Sequence, residues 1–266
     1  MTKPHLPNIF FILVDSLRSD KFYGDSKTSY TPNLDKLVKN GVIFTNTVNT
    51  APASIPAISS LFTGKWAYKS ITKGPSRHRL NRNFPNFITV LNDIGYNTTA
   101  LTPKIFIDSE LTSDFKNPMF FDEGIHDGLG EKILKIIINQ SEPWFFFIHF
   151  LDIHGSAKDF PEQFNQNKFG NNQYERRISA MDIWFGKFFE KLNFENTIII
   201  FTADHSTDRG IYTPQMEKIK TNLNKNKLDH IAKTAKKVLP NFLTKQLKNH
   251  FTSYKNKTKI FGRIKT

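Results

Sequence analysis

Cysteine is absent from the 266 residues, which excludes disulfides, thiolate metal ligands and a cysteine nucleophile and leaves the redox compartment open. Long apolar runs are missing too. Residues 9–14 (Ile-Phe-Phe-Ile-Leu-Val) are apolar, but Asp15 ends them well short of a signal-peptide core with its cleavage site. Residues 144–150 fall far below the ~20 needed to span a bilayer. Both runs read as buried strands, no transmembrane helix is expected, and the expected location is cytoplasmic. Acidic side chains are nearly missing from one end: residues 218–266 hold 14 Lys or Arg against the single acid Asp229. That segment accounts for the whole formal charge of +13, and residues 1–217 are neutral.

Apolar material, by contrast, is ample. Hydrophobic residues make up 38% of the chain, with 26 Phe, enough for one large α/β domain or two small ones. Residues 9–14 suit a central parallel strand covered on both faces. Asp15-Ser16-Leu17-Arg18-Ser19-Asp20 follows, placing polar groups at the carboxyl edge where open α/β sheets bind ligands. Residues 31–41 carry helix signals in order: Thr31 as N-cap, Pro32 at the first position, Leu34, Leu37 and Val38 as the apolar face, Gly41 as the stop. Residues 42–44 are expected to start a strand or extended segment. Further helices are expected over 84–94, 127–139 and 174–192, and strands over 96–101, 144–151 and 197–202. Strands alternating with helices predict a parallel, doubly wound sheet. No internal repeat is visible.

The stretch Ala53-Ser54-Ile55-Pro56-Ala57-Ile58-Ser59-Ser60-Leu61-Phe62-Thr63-Gly64 organises the rest. Pro56 suits a first helical turn, Ile58, Leu61 and Phe62 fall on one face, and Gly64 suits a left-handed helix end. Ser54 then sits at a helix N-terminus, where free N–H groups and the dipole favour an anion. Three strands, moreover, end in acidic or imidazole groups: Asp15, Asp152 with His154, and Asp204 with His205. Such repetition at one sheet edge, beside the Ser54 helix, points to a site.

These residues resemble the sulfatase-like branch of the alkaline phosphatase superfamily. The resemblance rests on N-I-F-F-I-L-V-D-S-L-R-S-D (8–20), T-P-N-L-D-K-L-V-K-N-G-V-I-F-T-N (31–46), S-I-P-A-I-S-S-L-F-T-G (54–64), L-N-D-I-G-Y-N-T (91–98) and N-T-I-I-I-F-T-A-D-H (196–205). Their order and spacing match across about 200 residues, far more specifically than any one piece. It implies an α/β three-layer sandwich with a mostly parallel central sheet and the site at its carboxyl edge. It makes Asp15, Asp204 and His205 ligands of one divalent metal ion, Mn, Ca or Mg with Zn as a further candidate, and Ser54 the nucleophile. His154 falls near the family's substrate-binding histidine, placed to contact the ester or, as a catalytic acid, to protonate the leaving group, and Arg18 is a further candidate for anion contact.

The sequence departs from the family pattern in three places. Sulfatases that convert their nucleophile to formylglycine carry an arginine where Ile58 stands. Ser16 replaces the second carboxylate of an Asp-Asp pair. After His205 the usual Gly-Glu and the later His-Gly are not seen, so the C-terminal part of the family domain has no visible match. The set Asp15, Ser54, Asp204, His205 instead looks like the single-metal site of phosphoglycerol-transferase relatives, which use an unmodified hydroxyl.

Plainer readings stand beside these. Asp15 and Asp204 could cap helices, Ser54 could be an N-cap, and His205 a packed structural histidine. His154 is open between substrate contact and a loop residue, and Asp152 between a partner of His154 and a strand-end carboxylate. Inside its strand, His149 reads as buried structure. Asp20 reads as a surface or capping acid, or a support for Asp15. The expected organisation is a catalytic domain over 1–217 and a basic segment over 218–266. In that segment Leu239, Phe242, Leu243, Leu247 and Phe251 recur at helical spacing, which would suit peripheral contact with an anionic surface. The leading function is a metal-dependent hydrolase or transferase acting on a small-molecule, glycan or lipid-linked sulfate or phosphate ester. The alternatives are a formylglycine-type sulfatase and a catalytically degenerate, anion-binding relative.

Overall fold

Alternate residues of the first apolar run face opposite layers. In β1 (Asn8–Val14), Phe10, Ile12 and Val14 enter one buried cluster while Phe11 and Leu13 enter another. That is why the run shows no polar alternation: both faces of the strand are covered. The protein is described by a computed structural model over residues 6–75, 77–154 and 160–207. All of these lie in the first of two compact units, Met1–Gly210 and Ile211–Thr266. The basic segment 218–266, with its expected helix and surface contact, lies outside the described residues.

In chain order, β1 is followed by α1 (Pro32–Asn40), α2 (Ser54–Thr63), the short α3 (Ala67–Ser70) and a hairpin of β2 (Ile71–Lys73) and β3 (His78–Leu80). Next come α4 (Phe87–Asp93), β4 (Asn97–Pro103), β5 (Asn117–Phe121) and α5 (Gly130–Ile138). The described part closes with β6 (Trp144–Phe150), α6 (Gln173–Phe189) and β7 (Thr197–Ala203). The main sheet has the order β5-β4-β6-β1-β7, and all its pairings are parallel. On one face Leu34 of α1, Ile133 and Ile137 of α5, and Ile178, Met181, Phe185 and Phe188 of α6 pack on Phe146, Ile148 and Phe150. On the other, Ile55, Ile58 and Phe62 of α2 and Ile88 of α4 pack on Phe145 and Phe147. The expected three-layer α/β architecture is present.

Of the two alternatives for residues 42–44, a strand is absent: Val42 and Phe44 are 83% and 77% exposed, and no described strand pairs with them. Two helix starts are corrected. The helix expected over 84–94 starts at Phe87, because Asn86 caps it by accepting from the Ile88 and Thr89 N–H groups. The helix expected from 127 begins at Gly130, after a wide helical turn (Ile125–Leu129) interrupted at Gly128 with φ +103°. β5 and the hairpin were not expected. β5 carries Pro118, which a sheet tolerates at an edge, and it is an edge strand. Among the described residues no helix is long and apolar enough to cross a membrane.

Candidate active site

Asp15 follows the last residue of β1 and continues the Phe11, Leu13 series, which faces the α2 layer. Its carboxylate is 2% exposed. Ser54 opens α2 on that side, and its Oγ donates to Asp15 Oδ2 at 2.9 Å. The N-cap is Ala53, which offers no side-chain bond, so the Ser54 hydroxyl is turned to the carboxylate and does not cap the helix. At the far end of α2, Gly64 closes the helix with φ +64° and donates its N–H to the Ser60 carbonyl at 2.9 Å.

Asp204 follows β7, beside β1, and is 6% exposed. Its Oδ1 accepts from the backbone N–H of Ser16 at 3.0 Å and of His205 at 2.7 Å. Its Oδ2 is buried without a hydrogen-bond partner, an arrangement that is costly for an ionised oxygen unless a cation faces it. His205 Nδ1 lies 3.0 Å from the Ser206 carbonyl. A carbonyl only accepts, so Nδ1 carries the proton and Nε2 presents its lone pair. That lone pair is 3.4 Å from Ser54 Oγ and 3.4 Å from Asp204 Oδ2. One ligand atom from each of Asp15, Asp204 and His205 lies within 4.8 Å of the other two. Two carboxylate oxygens and one imidazole nitrogen, the latter held by a carbonyl behind it, fit a divalent ion such as Mn, Mg, Ca or Zn.

Sequence reasoning treated Ser16 as the loss of a carboxylate, but structurally it is a tie. Its Oγ donates to Asp15 Oδ1 at 2.6 Å and its N–H to Asp204, so it joins the ends of β1 and β7. It adopts φ +62°, a left-handed conformation that costs a serine roughly 1 kcal/mol. The Tyr174 hydroxyl secures it by donating to the Ser16 carbonyl at 2.7 Å. Burial pushes that phenol up to about 12, so it remains a donor. Burial alone would raise the Asp15 pKa, but the His149 ring, Ser16 and Ser54 outweigh it and hold this carboxyl well below the usual carboxylate range.

His149 is buried structure, as its strand position predicts, and it also lies beside the two carboxylates. It is fully buried on β6, with Nε2 3.6 Å from Asp15 Oδ2 and 3.8 Å from Asp204 Oδ2. The available signal was its two-residue spacing from Phe145 and Phe147, which places it on the Ser54 face. The other candidates do not join the cluster. Arg18 lies at the same edge but forks onto Asp20, with Nε to Oδ1 at 2.8 Å and Nη2 to Oδ2 at 2.9 Å; Asp20 is thus its partner. His154 sits in the turn after β6, its N–H on the Leu151 carbonyl, and residues 155–159 beyond it are outside the described set. Asp152 accepts from the Ile125 N–H at 2.7 Å, tying β6 to the turn before α5, and burial pushes its carboxyl up to about 6.

The Sulfatase family model matches residues 7–237 of the chain. An ulvan-active sulfatase of Formosa agariphila is 42% identical over 65 residues, 24% of this chain and 13% of that protein. An N-acetylgalactosamine-6-O-sulfatase of Bacteroides thetaiotaomicron is 33% identical over 98 residues, 35% of this chain and 19% of that protein. The matched stretches thus take in under a fifth of each curated relative. Among solved structures, Ps i-CgsB superposes with a TM-score of 0.62 at 22% identity, over 75% of this chain and 58% of that one. The C-terminal periplasmic domain of EcEptC from Escherichia coli gives 0.59 at 16% identity, over 80% and 67%. At these identities the structural likenesses speak for the fold.

Proposed function

The chain belongs to the Sulfatase family, and from that premise we propose that it cleaves sulfate or phosphate esters with Ser54 as nucleophile and one divalent ion held by Asp15, Asp204 and His205. One observation carries the reading: the Ser54 hydroxyl, at the start of α2, lies 2.9 Å from Asp15 Oδ2 and 3.4 Å from His205 Nε2. Bound among these groups, the ion would lower the serine pKa and offset the ester's negative charge. Asp15 orients the hydroxyl by accepting its proton in a hydrogen bond. The hydroxyl proton is released to solvent as Ser54 Oγ attacks. Ser54 Oγ then bonds to the ester's sulfur or phosphorus, and the bond to the departing oxygen breaks with its electron pair. The first-turn N–H groups of α2 face the negative charge that develops. Water resolves the seryl ester and restores the hydroxyl; an acceptor alcohol would do so in a transfer.

The names of the curated relatives support a sulfate ester on a glycan as substrate. A phosphate ester is the second reading, and Ile58 favours it. That side chain is 1% exposed and packed into the α2 core, where formylglycine-forming relatives have arginine, so Ser54 stays an unmodified hydroxyl.

The test is a panel of aryl sulfates, phosphate monoesters and phosphodiesters, assayed on the full chain with Mn²⁺, Mg²⁺, Ca²⁺ or Zn²⁺. Metal-dependent turnover is expected, falling by about 10²-fold or more in both Ser54→Ala and Asp204→Ala. Equal rates in parent and variants would remove Ser54 from the reaction. The mass of the Ser54 peptide decides the modification, since formylglycine is lighter than serine by two hydrogens.

A further inference from the structure

The strand β6, buried along its whole length, carries a histidine where its same-face neighbours carry phenylalanine. His149 continues the Phe145, Phe147 series of β6, pairs in register with Leu13 of β1, and has no exposed surface. Its ring lies nearly flat on Phe106, with centroids 4.9 Å apart and planes at 28°. Neither ring nitrogen makes a hydrogen bond, so as plain core this side chain costs stability that a phenylalanine would not. Its Nε2 nonetheless lies near one carboxylate oxygen of each acid, 3.6 Å from Asp15 Oδ2, which also accepts from Ser54 Oγ, and 3.8 Å from the unpartnered Asp204 Oδ2. Neither distance is a hydrogen bond, but the ring nitrogen stands at nearly equal distances from the two carboxylates, where an N–H would attract both.

A ligand role for His149 would require a lone pair on Nε2 and a proton on Nδ1. Metal-binding histidines almost always give that other N–H to an acceptor. His205 does so, to the Ser206 carbonyl at 3.0 Å, whereas His149 Nδ1 has no such acceptor. The favourable tautomer therefore carries its proton on Nε2.

We propose that His149 is a positioning residue of the metal centre: its Nε2–H lies between Asp15 Oδ2 and Asp204 Oδ2 and fixes the spacing of the two oxygens that receive the ion. This rests on the metal-centre reading given above. The side chain acts through the carboxylates and touches neither the ester nor the reacting atoms.

The experiment is Mn²⁺ binding to the full chain, by titration calorimetry and by the electron paramagnetic resonance of free and bound Mn²⁺. His149→Phe and His149→Leu remove the donor while preserving an apolar core. His149→Gln restores an N–H near the position of Nε2. The donor-free variants are expected to bind Mn²⁺ about 10–100-fold more weakly, with a thermal midpoint in the absence of metal no lower than the parent's. His149→Gln is expected to stay within about threefold of the parent. Donor-free variants that bind like the parent overturn the proposal, as does a glutamine variant that falls as far as they do. Asp204→Asn separates the two levels of the argument. If it abolishes binding while His149→Phe does not, only the role of His149 fails. If the parent binds no Mn²⁺, or Asp204→Asn binds like the parent, the metal centre fails and His149 with it.

Discussion

Charged groups in this protein are shifted in opposite directions by what faces them, and Asp15 and Asp152 show it at the scale of single residues. Each follows a buried strand. Asp15 meets His149, Ser16 and Ser54 and is held low; Asp152 is pushed up to about 6 by burial, with the nearby Asp127 carboxylate adding to the rise and backbone N–H groups and Arg177 opposing it. The sign for Asp152 follows from linkage. Its folded-state value lies above the ordinary 3.8, so the folded state binds the proton more tightly. Its contribution is fully favourable below the unfolded value and is lost as pH rises through about 6. Asp152→Asn keeps an acceptor for the Ile125 N–H and removes the titration. Thermal melts between pH 4 and 8 are expected to show that this variant loses the part of the parent's decline that lies between pH 4 and 6. At pH 7 it should melt about 2–4 °C higher, as for ~1 kcal/mol in a domain of this size. An unchanged profile would mean that Asp152 already ionises normally in the fold.

At the scale of an element, α2 does two jobs with opposite requirements. Its N-terminus holds the Ser54 hydroxyl at a polar edge, while Ile55, Ile58 and Phe62 anchor it in the core. Phe62 meets Phe87, Phe115 and Phe147 at ring-centroid distances of 5.2–5.9 Å, so the helix has little freedom to slide. The position four residues after Ser54 points into that core. Ile58→Arg, which would restore the arginine of formylglycine-forming relatives, therefore buries a charge without a partner. It is expected to lower stability by at least ~3 kcal/mol in urea unfolding. A near-neutral effect would show that α2 can rotate to expose this position.

For the molecule as a whole, the carboxyl edge of the sheet concentrates what the core excludes: an unpartnered carboxylate oxygen, a left-handed serine and two buried carboxylates side by side. A bound divalent ion is expected to relieve the repulsion, so Mn²⁺ at about 100 times its dissociation constant should add ~2.7 kcal/mol to stability. Differential scanning calorimetry should show a higher midpoint with Mn²⁺, reversed by a chelator, and no such rise for Asp204→Asn. A midpoint indifferent to metal in the parent would argue against ion binding at this edge.

Much of the site was legible in the chain because its parts are local. Continuous apolar runs give covered strands, and the residues just past each strand stand at the sheet edge, so position marks Asp15, Asp204 and His205 together with Asp152 and His154. The helix signals place Ser54 at the start of α2; only the resemblance to the family singles out Asp15, Asp204 and His205 as ligands and Ser54 as nucleophile. Periodicity also marked which segments become strands and helices, apart from β5, the hairpin, and helix starts set by the Asn86 cap and the Gly128 turn. Only the tertiary structure decided which groups meet. That Ser16 ties two strand ends, that Tyr174 secures it from α6, and that His149 lies beside both carboxylates are facts about side chains 55 to 188 residues apart in sequence or held by a left-handed turn. Strand register and helix packing fix such distances, and no local signal carries them. Sequence supplied the chemistry of each group; the packing of α2 and α6 on opposite faces of one parallel sheet determined its partners.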